Sequence, residues 1–191
     1  MDIDDAAHFQ SIPWISELLK DESFITVPYG ARDPKTSSED SLTAVTLKSN
    51  STLPACLRQV RRPAPQITLK PAASALATQN IEEVRIFFIL GSDMNGHPGI
   101  LHGGMVATLL DECLGFLVNA RSPDGVSGSF TAYLNTGFVR PVYTPGAIVV
   151  YGQLEECIED RKWKLKGRIC DAEERILSTG ETLFVKPRSK I

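Results

Sequence analysis

The segment that most constrains the fold lies near the middle of the chain, where a long apolar stretch follows a loop rich in proline and glycine. Residues 105–118 contain only two charged side chains, Asp111 and Glu112. So little charge over this length predicts a helix that is buried on most sides. A carboxylate inside such a helix is costly unless it is paired, hydrogen-bonded or functional. Asp111 is therefore the first candidate for chemistry, whereas Glu112, about a hundred degrees away around the helix, is expected to be a paired structural charge.

Two glycines, Gly103 and Gly104, stand where this helix is expected to begin. First-turn N–H groups have no partner inside a helix, and glycine lets a substrate oxygen approach them closely. The positive end of the helix dipole also lies there. A carbonyl-polarising amide combined with the Asp111 carboxylate indicates acyl chemistry. The alternative is structural: the glycines only form a tight helix entry, and Asp111 bonds to a neighbouring strand or subunit.

Length, charge and cysteine spacing limit the class of protein. The chain has 191 residues and a formal net charge of −3, which predicts one domain with an added segment and argues against general nucleic-acid binding. The four cysteines show no CxxC or Cys/His metal spacing, so reduced thiols and no metal site are expected. No apolar run approaches the roughly 20 residues of a membrane span, and the N-terminus lacks a signal or transit pattern. A cytoplasmic location is expected, with a mitochondrial one still compatible.

The chain divides by sequence pattern into an N-terminal extension over residues 1–80 and a main domain that follows it. The extension is predicted to be helical and irregular. A short helix is expected at residues 12–19 with Ser11 as its N-cap, and a polar loop is expected at residues 33–40. Residues 41–57 could contain a further helix.

The sequence of the main domain, residues 81–191, predicts a strand, one buried helix and about four further strands joined by short turns. Hydrophobic alternation and turn residues predict strands at residues 84–90, 129–139, 147–154, 162–170 and 176–185. An antiparallel sheet wrapped around one long central helix satisfies this order, because the apolar surface of the helix needs a sheet to cover it. The predicted fold class is α+β.

Several motifs in this domain resemble those of the hotdog-fold acyl-CoA thioesterases, in particular the phenylacetyl-CoA and "thioesterase superfamily member" branch. The resemblance covers residues 84–187, and residues 12–63 are similar to the N-terminal extension of fungal members. It is carried by His102-Gly103-Gly104, Asp111, the TAYLN segment at residues 131–135, Arg140-Pro141 and the DRKW segment at residues 160–163. The resemblance implies a hotdog fold with the central helix inside the sheet.

The resemblance also implies roles for individual residues. Asp111 corresponds to the nucleophile or general base, and the Gly103 N–H to the group that polarises the thioester carbonyl. Thr131 matches a residue that holds the attacking water or supports the carboxylate. His102 either assists by hydrogen bonding or holds the loop.

Further substrate-binding candidates surround this set. The family often has an asparagine where this chain has Gly96, which leaves Asn95 or His97 as the possible second carbonyl donor, beside Gly104. Coenzyme A phosphates require a local basic patch in an acidic protein. Arg140, Arg161 and Lys162 are candidates for it, although basic residues that alternate with apolar ones along residues 162–169 are also typical of a solvated sheet face.

The resemblance thus implies a thioester hydrolase that converts an acyl-CoA, or a carrier-protein acyl thioester, to free acid and thiol in lipid or polyketide metabolism. No cofactor is expected. Two alternatives stay open: a biosynthetic hotdog dehydratase or isomerase, and a non-catalytic acyl-CoA-binding regulatory module. Gly103 and Asp111 are eight residues apart on one helix, which corresponds to an axial rise of about 12 Å. Their cooperation therefore predicts a site built from two chains, in a homodimer or a dimer of dimers.

Overall fold

A helix of 18 residues packs against one face of a seven-stranded antiparallel sheet. The computed structural model describes residues 3–62, 81–121 and 128–188. The helices are α1 (Ile3–Gln10), α2 (Pro13–Leu18) and α3 (Gly103–Ala120). The strands are β1 (Phe24–Thr26), β2 (Cys56–Arg61), β3 (Glu83–Leu90), β4 (Asn95–His97), β5 (Ile100–Leu101), β6 (Phe130–Phe138), β7 (Gly146–Ile158), β8 (Lys162–Cys170) and β9 (Ile176–Val185). The large sheet has the order β1-β2-β3-β7-β8-β9-β6, while β4 and β5 form a separate pair. The α+β hotdog arrangement predicted from the sequence is confirmed.

Helix α3 lies close to the sheet because glycines on neighbouring strands leave room for its leucines. A side-chain carbon added at Gly152 would lie 3.1 Å from Leu114 Cδ2, and one added at Gly167 would lie 3.1 Å from Leu110 Cδ2. The fully buried residues recur at helical spacings: Val106, Leu109, Leu110, Cys113, Leu114, Leu117 and Val118. Full burial is thus confined to one stripe, and the other residues of α3 are partly buried except Gly104 and Asn119, which are exposed. By length and mean hydropathy α3 could also cross a membrane, which the sequence estimate missed, but here its apolar stripe is covered by the sheet.

The opposite face of the sheet is covered by the first two helices. Phe9 of α1 and Ile15 of α2 are fully buried against Leu57, Phe87 and Val149. This cluster is separate from the core around α3, so β2 and β3 are buried on both faces.

The predicted N-cap of the helix at residues 12–19 is wrong. Helix α2 has Ile12 as its N-cap and Pro13 in its first turn, a position where the missing N–H of proline costs nothing. Ser11 instead donates its hydroxyl to the carbonyl oxygen of His8, at the end of α1.

The extension contributes strands that the sequence did not predict. Within residues 41–57 the helical part is a five-residue π-helical segment, Leu42–Thr46, and strand β2 begins at Cys56. Strand β2 pairs with β3 and β1 pairs with β2, so the extension and the main domain share one sheet. The loop at residues 33–40 contains neither helix nor strand, as predicted. The boundary at residue 80 itself lies outside the described residues.

The four strands predicted after the helix are all present, but β6 pairs with β9 rather than with its neighbour in sequence, β7. Strand β6 is therefore the last strand of the sheet. Its exposed apolar side chains include Phe130 (58% exposed) and Phe138 (62% exposed), together with Tyr133.

Candidate functional site

Asp111 and Thr131, which the sequence places twenty positions apart, meet where α3 faces β6. The Thr131 hydroxyl donates a hydrogen bond to Asp111 Oδ1 at 2.9 Å. Burial raises the pKa of the Asp111 carboxyl above its ordinary value, and the Thr131 hydrogen bond partly opposes that rise. Within the described residues, no second hydrogen bond to this carboxylate is formed. The arrangement is a half-buried carboxylate that is oriented through one oxygen.

The start of α3 presents one free amide rather than the two expected. His102 is the N-cap of the helix, and its Nδ1 accepts a hydrogen bond from the Gly104 N–H at 2.9 Å. That amide is therefore occupied, which corrects the expectation that both glycine amides are bare. The Gly103 N–H has no hydrogen-bond partner in the part of the chain that the structure describes. The ring of Phe138 lies against Gly103, 3.4 Å from where a side-chain carbon would be.

The loop before the helix explains why Gly96 stands where the family often has asparagine. A side-chain carbon at Gly96 would lie 3.0 Å from His102 Cδ2, which is too close for any larger residue unless the imidazole moves. Neighbouring Asn95 accepts a hydrogen bond through Oδ1 from the hydroxyl of Thr144. His97 is exposed on β4. The His102 side chain thus lies beside Gly96 and accepts a hydrogen bond from the Gly104 N–H.

The candidate phosphate-binding residues lie at two different ends of the sheet. Arg161 is in the turn between β7 and β8, where its guanidinium donates to the carbonyl oxygen of Lys186 at 2.9 Å. Lys162 follows at the start of β8, which is the end of the sheet that also holds Thr131. Arg140 lies at the other end, beyond Phe138, and donates to the carbonyl oxygen of Ile176 at 2.7 Å.

Strand β8 has the alternation that its sequence predicts. Trp163 and Leu165 are buried, whereas Lys164 and Lys166 are exposed. Each lysine pairs with a glutamate, at 2.6 Å for Lys164–Glu156 and 2.7 Å for Lys166–Glu155. Because these two charges are matched locally, Arg161 and Lys162 are the better candidates for binding phosphate.

A cavity of about 480 Å³ opens beside Asp111, and the N-terminal extension forms one of its walls. The wall from the main domain includes Glu112 and Phe116 of α3. Tyr29 and Arg58 from the extension line the other side. The sequence did not identify Tyr29 or Arg58 as site residues. The sequence feature that could have identified Arg58 is its position two residues from Cys56 and two from Val60. On a strand these three residues share one face, and both neighbours are buried.

Glu112 differs from the paired structural charge that was expected. It forms no ion pair with any described residue, and its Oε2 accepts a 3.5 Å hydrogen bond from the Tyr29 hydroxyl. Burial, followed by the negative charges of Asp111 and Asp40, raises the pKa of the Glu112 carboxyl to about 7. Two adjacent carboxyls of α3 therefore face the cavity with raised pKa values, Asp111 on the β6 side and Glu112 beside Tyr29.

The other residues that could take part in chemistry are possible metal ligands and the cysteine thiols. Within the described ranges, no group of three or more His, Cys, Asp or Glu side chains has an arrangement suited to a metal ion. None of the four cysteines forms a disulfide bond with a described residue, and burial raises the pKa of the Cys113 thiol well above its usual range.

The chain is similar to several known proteins. Residues 98–177 match the family model described as "Thioesterase superfamily". Acyl-coenzyme A thioesterase THEM4 of Bos taurus is 35% identical over 97 residues, covering 50% of this chain and 38% of that protein. Verlamelin biosynthesis protein B of Lecanicillium sp is 27% identical over 174 residues, covering 77% of this chain and 72% of that protein.

Solved structures share the fold. AziG of S. sahachiroi aligns with a TM-score of 0.51 and 17% identity, covering 56% of this chain and 86% of that structure. A hypothetical thioesterase of Streptococcus pneumoniae, solved with coenzyme A, aligns with a TM-score of 0.50 and 14% identity, covering 58% and 82%. At these identities the likeness concerns the fold alone.

The long helix, the sheet around it and these likenesses define a hotdog-fold protein. Residues 98–177 match the thioesterase superfamily, so the resemblance predicted from the motifs is confirmed. The chain spans about two fifths of the length of the THEM4 relatives that it matches.

Proposed function

We propose that this protein hydrolyses an acyl thioester, an acyl-CoA in the first instance, to the free acid and the thiol. The observation that carries the proposal is the Asp111–Thr131 hydrogen bond beside a cavity of ligand size. The raised pKa of Asp111 suits a general base better than that of an ordinary surface carboxylate. The names of the THEM4 relatives support acyl-CoA as the substrate class.

In the proposed reaction the thioester oxygen accepts a hydrogen bond from the Gly103 N–H, at the positive end of α3. Asp111 then takes a proton from water, whose oxygen bonds to the carbonyl carbon. The C–S bond breaks, and the departing thiolate takes up the proton. In the second version of this reaction, Asp111 attacks the carbonyl carbon itself and the C–S bond breaks to release the thiolate. Water then hydrolyses the resulting anhydride, which restores the Asp111 carboxylate and releases the proton that the thiolate takes up. Thr131 orients the carboxylate in either case.

The active site is proposed to need two chains. An Asp111 side chain cannot close the axial distance of about 12 Å to Gly103 on its own helix. Strand β6 carries Thr131 near one end and Phe138, which touches Gly103, at the other. If β6 pairs antiparallel with β6 of a second copy so that Thr131 faces Phe138 of the partner subunit, Asp111 approaches Gly103 of the partner subunit. This gives two equivalent sites in a homodimer, which can pair further as a dimer of dimers.

The phosphates of coenzyme A are proposed to bind beside Arg161 and Lys162. Both lie at the Thr131 end of the sheet, and Arg161 is held in place by its bond to the Lys186 carbonyl. Arg140 lies at the opposite end, so in the proposed dimer it approaches the site built around Asp111 of the partner subunit. Cysteines that form no disulfide bond with a described residue fit a reducing compartment, and a cytoplasmic location is proposed, with a mitochondrial one as the alternative.

A biosynthetic role is the second candidate function. It is favoured by the likeness to verlamelin biosynthesis protein B, which covers 77% of this chain, including part of the extension. A carrier-protein thioester is then the substrate, within lipid or polyketide metabolism. A carboxylate beside a polarised thioester can also remove an α-proton, so dehydratase or isomerase chemistry is the competing reaction.

The test is a panel of acyl-CoA and acyl-carrier thioesters monitored by thiol release and by analysis of the acyl product. Thiol release that falls by about 10³-fold in Asp111→Asn supports the proposal. Asp93→Asn, a change at an exposed carboxylate, is the matched control and should retain the wild-type rate. An altered acyl chain with its thioester intact indicates a lyase or isomerase, and tight binding without turnover indicates a regulatory module. Single-turnover hydrolysis in ¹⁸O-water separates the two roles of Asp111, because label enters its carboxylate only if it is the nucleophile.

A further inference from the structure

The cavity beside Asp111 contains a cation that its surroundings do not balance. Arg58 lies on β2, where Leu57 and Gln59 point to the opposite face of the sheet. Its own side chain therefore points to the α3 side, into the cavity. Arg58 Nε is buried and has no hydrogen-bond partner among the described residues.

The contacts of the Arg58 guanidinium are with aromatic faces. Its central carbon lies 3.5 Å from the centre of the Phe116 ring and 4.9 Å from the centre of the Tyr29 ring. Stacking of this kind fixes the plane of a guanidinium and leaves its edge, with the N–H donors, available. No acidic side chain of the described residues lies within ion-pair distance of it.

The other cation of the cavity is already matched. Lys35 lies at the wall formed by the extension, where it pairs with Asp40 and Glu39. Arg58 is therefore the described lining residue whose positive charge lacks a partner. Burial lowers the pKa of Arg58 to about 10, so the guanidinium remains charged at neutral pH. A desolvated charge of this kind favours a ligand that brings an anion to it.

Glu112 does not exclude an anionic ligand. With its pKa raised to about 7, a large fraction of this carboxyl is neutral at physiological pH and can donate a hydrogen bond. The Tyr29 hydroxyl, which hydrogen-bonds to Glu112, adds a second polar group on the same wall.

We propose that this cavity binds the acyl chain of the thioester and that Arg58 binds a carboxylate at the far end of that chain. The preferred substrates are then ω-carboxyacyl thioesters, in which a dicarboxylic acid is joined to the thiol through one of its two carboxyls. Phe116 and Tyr29 hold the guanidinium, while the thioester end lies at Asp111. This inference rests on the proposed function, since it identifies the substrate class of the same site.

The experiment compares substrates of equal chain length that differ only at the far end: adipyl-CoA against hexanoyl-CoA, and suberyl-CoA against octanoyl-CoA. The expected ratio of kcat/KM is about tenfold or more in favour of the carboxylated member of each pair. Arg58→Met should reduce that ratio by at least tenfold, and Arg58→Lys should give an intermediate ratio because a point charge replaces the planar fork. Arg61→Met is the matched control, since Arg61 belongs to the same strand but pairs with Glu83 at an exposed position. It should leave the ratio unchanged.

A wild-type ratio near one, or a higher kcat/KM for 6-hydroxyhexanoyl-CoA than for adipyl-CoA, overturns the inference. An equal loss with both members of a pair in Arg58→Met also overturns it, because that result identifies a purely structural arginine. If Arg58→Met does not fold, the wild-type ratio and Arg58→Lys decide the question. Calorimetric titration of Asp111→Asn with adipyl-CoA and hexanoyl-CoA measures the same preference as a ratio of Kd values. Binding preference without thiol release would thus contradict the proposed function and leave the substrate class supported.

Discussion

The two edges of the seven-stranded sheet differ in whether other parts of the chain cover them. At the β1 edge, the N-terminal extension covers both faces: α1 and α2 pack on one side, and the segment with Tyr29 closes a cavity on the other. At the β6 edge, nothing in the described residues covers the strand, and aromatic side chains stand exposed. An edge strand with unpaired backbone groups and exposed aromatic residues is typical of a surface that pairs with another chain.

Under the proposed function, the difference separates two tasks within one binding site. The covered edge would then shape the space for a substrate through Tyr29 and Arg58. The open edge carries Thr131, which orients Asp111, and is the place where a second chain is expected to bring its Gly103. The extension is therefore part of the site's architecture, since it supplies one wall of the cavity that Asp111 faces.

The largest expected effect concerns the open edge. Gly103→Pro removes the N–H at a position where proline suits both the first turn of α3 and the extended backbone of His102 before it. Gly103→Pro and Asp111→Asn chains should each lose about 10³-fold in thiol release. Refolded together in equal amounts, they should recover about a quarter of the wild-type activity, because half the dimers are mixed and each has one intact site. No recovery on mixing would mean that the site lies within one chain.

The next effect concerns the covered edge. Phe9→Ala deletes a fully buried ring that packs against Phe87, with ring centres 6.1 Å apart. The free energy of unfolding should fall by about 3–4 kcal/mol, as measured by urea denaturation. Phe130→Ala, at the exposed end of β6, should cost less than about 1 kcal/mol in the same measurement under monomeric conditions. Equal decreases in the free energy of unfolding in the two variants would show that the two edges contribute equally to stability.

A smaller effect is expected for association. Phe138→Lys places a charge on the open edge and should weaken dimerisation by about 30-fold or more in Kd, measured by analytical ultracentrifugation. Val45→Lys is the matched control, because Val45 of the extension is 61% exposed and Phe138 is 62% exposed. Equal weakening by both changes would remove the open edge as the dimer surface.

The smallest expected effect is a pH dependence that arises on the covered side. Because the pKa of Glu112 is raised to about 7 in the folded chain, the folded state binds more protons than the unfolded state between about pH 4.5 and pH 7. The free energy of unfolding should therefore decrease by about 2 kcal/mol as the pH rises through this range. Glu112→Gln should flatten this slope, whereas Glu17→Gln, at an exposed carboxylate, should not. An unchanged slope in Glu112→Gln would mean that the carboxyl is not desolvated.

The sequence predicted the central part of the fold and the catalytic candidates because their signals are local. Helix α3 is recognisable from its long apolar stretch with little charge and from the glycines at its start, and strand β8 from its alternation of basic and apolar residues. Strand β2 was missed for a physical reason. Both its faces are buried, and its residue Gln59 is satisfied by a distant partner, through the hydrogen bond from Arg85 Nε at 2.7 Å. Such a strand has no polar face, so its sequence shows no alternation.

The amino-acid sequence is enough to predict a carboxylate within an apolar helix, glycines at the start of this helix, and a sheet that covers it. These features depend on neighbours within one or two helical turns. Three features became visible in the folded chain. Strand β6 lies at the edge of the sheet, the His102 side chain accepts a hydrogen bond from the Gly104 N–H, and Arg58 and Tyr29 line the same cavity as Glu112. The physical reason is that strand order, burial and raised pKa values depend on contacts between residues far apart in the chain, which no local pattern records.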